Sequence, residues 1–428
     1  MHEYHSIGSR QKMNSRERLL MAIACKEPDH VPLLCWCFGF TPPPHLRWRE
    51  GEREVQHWYT MRLEHIHTLP EPWNLEQDFR RVERWLGLGL DDILEVSPPW
   101  GMDSSVHIRD WREPATPSEP YPLLCREYDT PAGTLRHIVR QTGEAPTPGW
   151  VVQPGHVALF EDFNIPRGIK HAVAGPEDLA KVRYLLQGPT REQLTEFRAR
   201  MGKVRRFALD KGVLVQGWSA FGMDGVVWLM GVEAAVMAAV TQSGFFQEMV
   251  DLMAVFDRKR TEVMLDAGGV DLVVQRGWYS SIDFWSPALF RKFVLPHLRE
   301  MADLAHQAGA RLAYTMTMGV VPLADSLIDA GIDLLYYVDP VQDRADLAEV
   351  KTRIGGRFAV AGGVNSGVTL ASGTPEEIRE AVRRAVRILA TGGGFILAPV
   401  DALFPDTPWA SVEAMIEAWR EVREYPTR

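Results

Sequence analysis

Cysteine is scarce: the 428 residues contain four, Cys25, Cys35, Cys37 and Cys125, and none follows position 125. So few thiols exclude a disulfide framework. Histidine thins out in the same direction, with only His297 and His306 beyond residue 171. The C-terminal half is therefore poor in the imidazole and thiolate donors of zinc sites. Long basic runs are missing and the formal net charge is −9, which argues against nucleic acid or an anionic membrane as partner. No apolar stretch reaches the roughly 18–20 residues that cross a bilayer. The opening "MHEYHSIGSRQKMNSRERLL" lacks the apolar centre of a secretory signal, and a cytoplasmic chain is expected. What is present, 46% hydrophobic and 24% charged residues, is the composition of a globular enzyme with a large core.

Eight short, nearly continuous apolar runs punctuate the chain, at 30–37, 90–96, 212–218, 270–277, 310–317, 332–339, 357–363 and 393–399. Parallel strands covered on both faces read this way. Helical patterns with start signals lie between them. Asn14 with Glu17 forms a capping pair, and Ser286–Pro287 and Thr374–Pro375 with Glu377 mark two further helix starts. Eight strand–helix units predict an α/β fold, a TIM-like (β/α)8 barrel. The rhythm breaks between about residues 97 and 205. There "YPLLCREYDTPAGTLRHIVRQT" predicts an antiparallel hairpin inserted after the second barrel strand. The expected layout is a flexible arm over 1–13 and a single barrel domain over 14–428.

Several stretches together resemble the uroporphyrinogen decarboxylase superfamily. They are "NSRERLLMAIACKEPDHVPL", "REYDTPAGTLRHIV", "PRGIKHAVAGPEDLAKVRYLL", "SPALFRKFVLPHL" and "IGGRFAVAGGVNSG" through "GTPEEIREAVRRAVRILATGGGFILAP". The resemblance runs from about residue 14 to 423. It implies a TIM-like barrel and one of two chemistries: decarboxylation of porphyrinogen acetate side chains, or methyl transfer to or from a corrinoid, usually with zinc. A shared fold does not choose between them; the side chains at the C-terminal strand ends do.

In the zinc methyltransferase branch, the matching strand ends in His-x-Cys-Gly and a later cysteine completes the site. Here the match is Met316-Thr317-Met318-Gly319, preceded by Thr315. Thioethers and hydroxyls are poor zinc ligands, so no metal site and no zinc are expected, and Thr315, Met316, Thr317 and Met318 are read as cavity lining. The arginine-rich loop with which the decarboxylase clamps carboxylates is matched by "LLCWCFGFTPPP", which holds no arginine. An octa-carboxylate substrate is disfavoured accordingly. Cys35 and Cys37 flank Trp36 at a spacing shorter than the usual chelating ones. Asp92 in "DDILEV" matches the decarboxylase's strand aspartate and is a candidate acid or base, with turn capping as the alternative. Arg276 is suited to anchor a carboxylate or phosphate, or to pair with an acid such as Asp339. Trp36, Trp218, Trp278 and Tyr279 offer flat walls. Gln275 would orient substrate, and Asp339, Asn365 and Asp401 follow strands six, seven and eight.

These residues predict a zinc-independent enzyme that moves a methyl group between a small methylated organic substrate and a corrinoid, with Asp92, Arg276 and Asp339 catalytic. No tightly bound cofactor is expected. A corrinoid such as cobalamin is the methyl donor or acceptor, with a corrinoid protein as candidate partner, and a homodimer is compatible with the sequence. Two alternatives stay open: a decarboxylase acting on a smaller carboxylate held by Arg276, and a non-catalytic corrinoid- or tetrapyrrole-binding protein.

Overall fold

The computed structural model describes residues 12–60, 74–142, 148–150 and 157–425. Residues 1–11 of the expected arm lie outside the described residues. Met13, at its end, is tied down: its N–H donates to Asp29 at 3.1 Å and its carbonyl accepts from Arg18 at 2.7 Å.

Seven strands form one curled parallel sheet in chain order: β1 (Ile93–Val96), β2 (Leu214–Ala220), β3 (Leu272–Gln275), β4 (Arg311–Thr315), β5 (Leu334–Val338), β6 (Ala359–Asn365) and β7 (Phe395–Val400). The predicted first strand, 30–37, is not a regular one. Leu34 donates to the Leu397 carbonyl at 3.0 Å, Leu397 to that of Pro32 at 2.9 Å, and Asp91 to that of Leu33 at 3.1 Å. The segment thus bonds to β7 on one side and to the entry of β1 on the other. Pro32 brings no N–H to a ladder, which accounts for isolated bonds in place of an eighth strand.

Strand alternation sorts the core into two layers. Ile93, Leu214, Trp218, Leu272, Val274 and Ala313 point inward. Leu94, Val96, Val273, Leu312 and Met316 face the surrounding helices. Helix Ser15–Ile23 starts at Asn14 with reciprocal bonds to Glu17, Pro287–Phe293 at Ser286, and Pro375–Leu389 at Thr374 with Glu377. Where a two-stranded hairpin is predicted, the structure has a four-stranded antiparallel sheet of His107–Glu113, Leu123–Thr130, Gly133–Arg140 and Gly168–Lys170. The first of these, "HIRDWRE", is exposed along most of its length and carries no apolar alternation to announce it. Among the described residues no single helix is long and apolar enough to cross a membrane.

Helix Leu75–Gly87 packs beside β1 and delivers Arg81, whose guanidinium lies 2.7 Å from Asp78 and 2.6 Å from Asp92. All three side chains are buried. Removing the cation strands two buried carboxylates, so Arg81→Met is expected to lose about 3–5 kcal/mol in urea unfolding. Asp92→Asn added to that variant should restore part of the loss. A variant as stable as the parent would contradict a structural role for this cluster.

Candidate active site

Two acids stand close together here, Asp92 just before β1 and Glu95 within it, and both border the same small inner cavity. Asp92 meets Arg81 at the N-terminal edge of β1; burial pushes its pKa up to about 6 while Arg81 opposes. Barrel active sites form at the other end of the strands. Glu95 points inward and is 1% exposed. Its Oε1 accepts from Gln216 Nε2 at 2.7 Å and Trp218 Nε1 at 2.9 Å, and its Oε2 from Trp36 Nε1 at 2.9 Å. The Tyr336 hydroxyl extends the chain by donating to Gln216 Oε1 at 2.9 Å. Glu95, Gln216 and Tyr336 line an inner cavity of about 20 Å³, which Asp92 and Arg81 also border; it has room for one water.

At the C-terminal strand ends a cleft of about 370 Å³ opens. Trp36 borders both it and the inner cavity. One wall is a run of ring contacts: Phe38 against Phe404 at 5.6 Å and Trp150 stacked on Phe404 at 5.8 Å. Opposite stand Trp278, Tyr279 and Phe284. Trp278 is seated on Trp218, the rings 5.9 Å apart and 13° from parallel. Glu95 therefore orients both Trp36 directly and Trp278 through Trp218.

Three charged residues line the cleft: Asp162, Arg276 and Asp401. Arg276 Nε donates to Asp224 at 3.1 Å and Nη2 to Asp162 at 3.0 Å. Its guanidinium lies 4.3 Å over Trp278 and 4.8 Å from the Trp228 ring centre. Asp224 is fully buried and also accepts the Tyr279 N–H at 2.9 Å. Burial, reinforced by Asp162 and opposed by Arg276, lifts its pKa to about 7. Asp401 has φ +71°, a left-handed conformation that aspartate tolerates better than most side chains.

The cleft brings together Trp36, Arg276, Trp278, Tyr279 and Asp401 from the sequence-predicted set, with Trp218 beneath. Others stand elsewhere. Gln275 faces outward, into a separate cavity of about 30 Å³ beside Asp257 and His297. Met316 is on the helix-facing side of β4, because a strand's parity turns it away from Thr315. Thr315 accepts the Gly277 N–H at 3.1 Å and so steadies the loop carrying Arg276 and Trp278. Thr317 and Met318 are half-buried before Gly319, outside the cleft lining. Asp339 and Asn365 bond each other at 2.8 Å and cap local turns, Asp339 through Val341 N–H and Asn365 through Val368 N–H. Sequence reasoning missed Glu95, Asp162 and Asp224. For Glu95 the signal was there: an acid at the inward position of a strand otherwise apolar.

The described side chains do not assemble a zinc site. Among the described residues no three His, Cys, Asp or Glu side chains converge on a metal-sized position. Burial also raises the thiol pKa of Cys25, of Cys35 well above its usual range, of Cys37 to about 12 and of Cys125 to about 11.

A family model described as uroporphyrinogen decarboxylase (URO-D) matches residues 166–422. Over 201 residues the chain is 24% identical to methylcobamide:CoM methyltransferase MtaA of Methanosarcina barkeri, which covers 46% of this chain and 56% of that protein. The chain thus spans about half the length of the curated relatives it matches. A solved methyltransferase from Methanosarcina mazei shares the fold, with TM-score 0.55 and 18% identity over 96% of this chain and 99% of that one.

Two outcomes follow from the geometry. Glu95→Leu strands three N–H donors, at about 1–3 kcal/mol each, and should lower stability and collapse the near-ultraviolet signal of the stacked tryptophans. Glu95→Gln, which keeps one acceptor oxygen, should do less. A Leu variant with parental stability would contradict the hub. For Asp224 the folded-state pKa near 7 exceeds the unfolded carboxylate value, so the native state holds the proton more tightly. Its contribution is full below about pH 4 and is lost as pH rises through about 7. Denaturant titrations between those values should show stability falling with pH, and Asp224→Asn should flatten the slope. An unchanged slope would contradict the assignment.

Proposed function

The chain belongs to the uroporphyrinogen decarboxylase family, and from that premise we propose that it moves a methyl group between a small methylated organic substrate and a corrinoid, without zinc. The observation that carries this reading is the lining of the cleft: eight aromatic side chains and a single described cation, Arg276, already held by two carboxylates. Polycarboxylate porphyrinogens need several unengaged cationic donors, and this lining offers no such set among the described residues. The name of the Methanosarcina barkeri relative, a methylcobamide methyltransferase, supports the corrinoid as the other reactant. A corrinoid protein is then the natural partner, in the cytoplasm.

In this reading Trp36, Trp278 and Tyr279 grip the substrate and exclude water. Arg276 sets the tilt of Trp278 through the contact between guanidinium and ring. Asp162 and Asp224 hold Arg276, and Glu95 holds the tryptophans. Asp92 serves the fold and stands outside the reaction. A decarboxylase would need Arg276 to release Asp162 or Asp224 for its substrate, which its burial makes costly.

Purified protein incubated with methylated donors and reduced cobalamin, followed through the corrinoid absorbance, tests the proposal. Methylcobalamin should form at a rate unchanged by prior dialysis against EDTA. Trp278→Ala should lower kcat/KM by about 10²-fold through lost positioning. Carbon dioxide release from a carboxylated substrate, with no methylcobalamin from any donor, would overturn it.

A further inference from the structure

Resting on that methyl-transfer reading, we propose that the donor is a methylated quaternary ammonium cation, bound in the cleft by ring faces and carboxylates. Two properties of the cleft converge on this class. The first is its walls. Trp36, Phe38, Trp150, Phe284 and Phe404 border the space, with Trp278 stacked on Trp218 and presenting its edge, and ring faces attract a desolvated cation by about 0.5–2 kcal/mol each. One cation already uses this environment, since the Arg276 guanidinium sits 4.3 Å over Trp278. The second is charge. Asp162 and Asp401 line the cleft beside one guanidinium, so the polar atoms at its wall are mostly carboxylate oxygens, which attract a cation and disfavour carboxylates and phosphates.

The same balance separates two kinds of methyl donor. A methyl ether surrenders its methyl group as an alkoxide or phenolate, an anion that must be protonated or held by a Lewis acid. The carboxylates of the cleft oppose that charge, and no zinc site is assembled among the described residues. A quaternary ammonium leaves as a neutral amine. The carbon–nitrogen bond breaks with its electron pair staying on nitrogen, and the new bond to carbon forms from the electron pair of a reduced corrinoid's cobalt. No proton moves, so no general acid is required. A cleft of about 370 Å³ suits a small ligand of this kind.

Calorimetry without corrinoid tests the binding alone. The probes are choline, its uncharged isostere 3,3-dimethylbutan-1-ol, and 4-methoxybenzoate. Choline is expected to bind about tenfold or more tightly than the isostere and to quench tryptophan fluorescence, with 4-methoxybenzoate failing to compete. Asp401→Asn, which the backbone conformation at this position tolerates, should weaken choline several-fold and leave the isostere unchanged. Equal affinity for choline and the isostere, or tighter binding of 4-methoxybenzoate, would overturn the proposal. Methylcobalamin formed from methoxyarenes by a protein that ignores choline would remove the cationic donor and leave methyl transfer standing. Charge-selective choline binding without methylcobalamin from any donor would support the cation site and remove the transfer.

Discussion

The carboxylate of Glu95 is the constraint on which the site depends. A polar group this deep in a barrel is tolerated only when its lone pairs are met, and three side-chain N–H groups meet them, one from Trp36 and two from β2. Two of those donors are indoles. The bonds that satisfy the acid therefore also set the planes of Trp36 and Trp218, and through Trp218 the plane of Trp278. Burial, hydrogen bonding and the shape of the cleft are one arrangement, with its polar end at the barrel axis and its aromatic end at the mouth.

A second cluster works by charge. Arg276 is placed between Asp162, from the inserted region, and Asp224, from the helix after β2. It ties the insertion to the barrel and places its guanidinium between two carboxyl groups at the cleft wall. The same guanidinium spread over Trp278 and near Trp228 uses the planarity that distinguishes arginine from lysine. Family membership accounts for the scaffold, and these contacts account for the character of this particular mouth.

The apolar runs of the parallel strands, the capped helix starts and the aromatic strand ends at Trp36, Trp218 and Trp278 could be read from sequence because each obeys a local rule: periodicity, capping or position. What escaped reading was distant partnership and orientation. Asp92 and Glu95 border one inner cavity and differ in their partners, Arg81 for the first and two indoles with Gln216 for the second; the partners lie far off in sequence, so the family-like aspartate drew the choice. Met316 and Gln275 were misplaced by strand parity, one residue either side of an inward-facing position. Asp162 and Asp224 could not be found locally at all, since their partners are distant in sequence: Arg276 is 114 and 52 residues away, and Trp228 and Tyr279 are 66 and 55 away. The eighth barrel place shows the limit of hydropathy: 30–37 is as apolar as a strand, but Pro32 denies it the ladder.

The central claim is that a metal-free, tryptophan-walled cleft held by Glu95 is where the small substrate sits. Crystallography of the purified protein with a bound methylated ligand, with anomalous data collected at the zinc edge, tests it most directly. The account predicts ligand density between Trp36 and Trp278 and no zinc peak inside the barrel. A full-occupancy zinc near Met316–Gly319, or a ligand seated away from those rings, would contradict it.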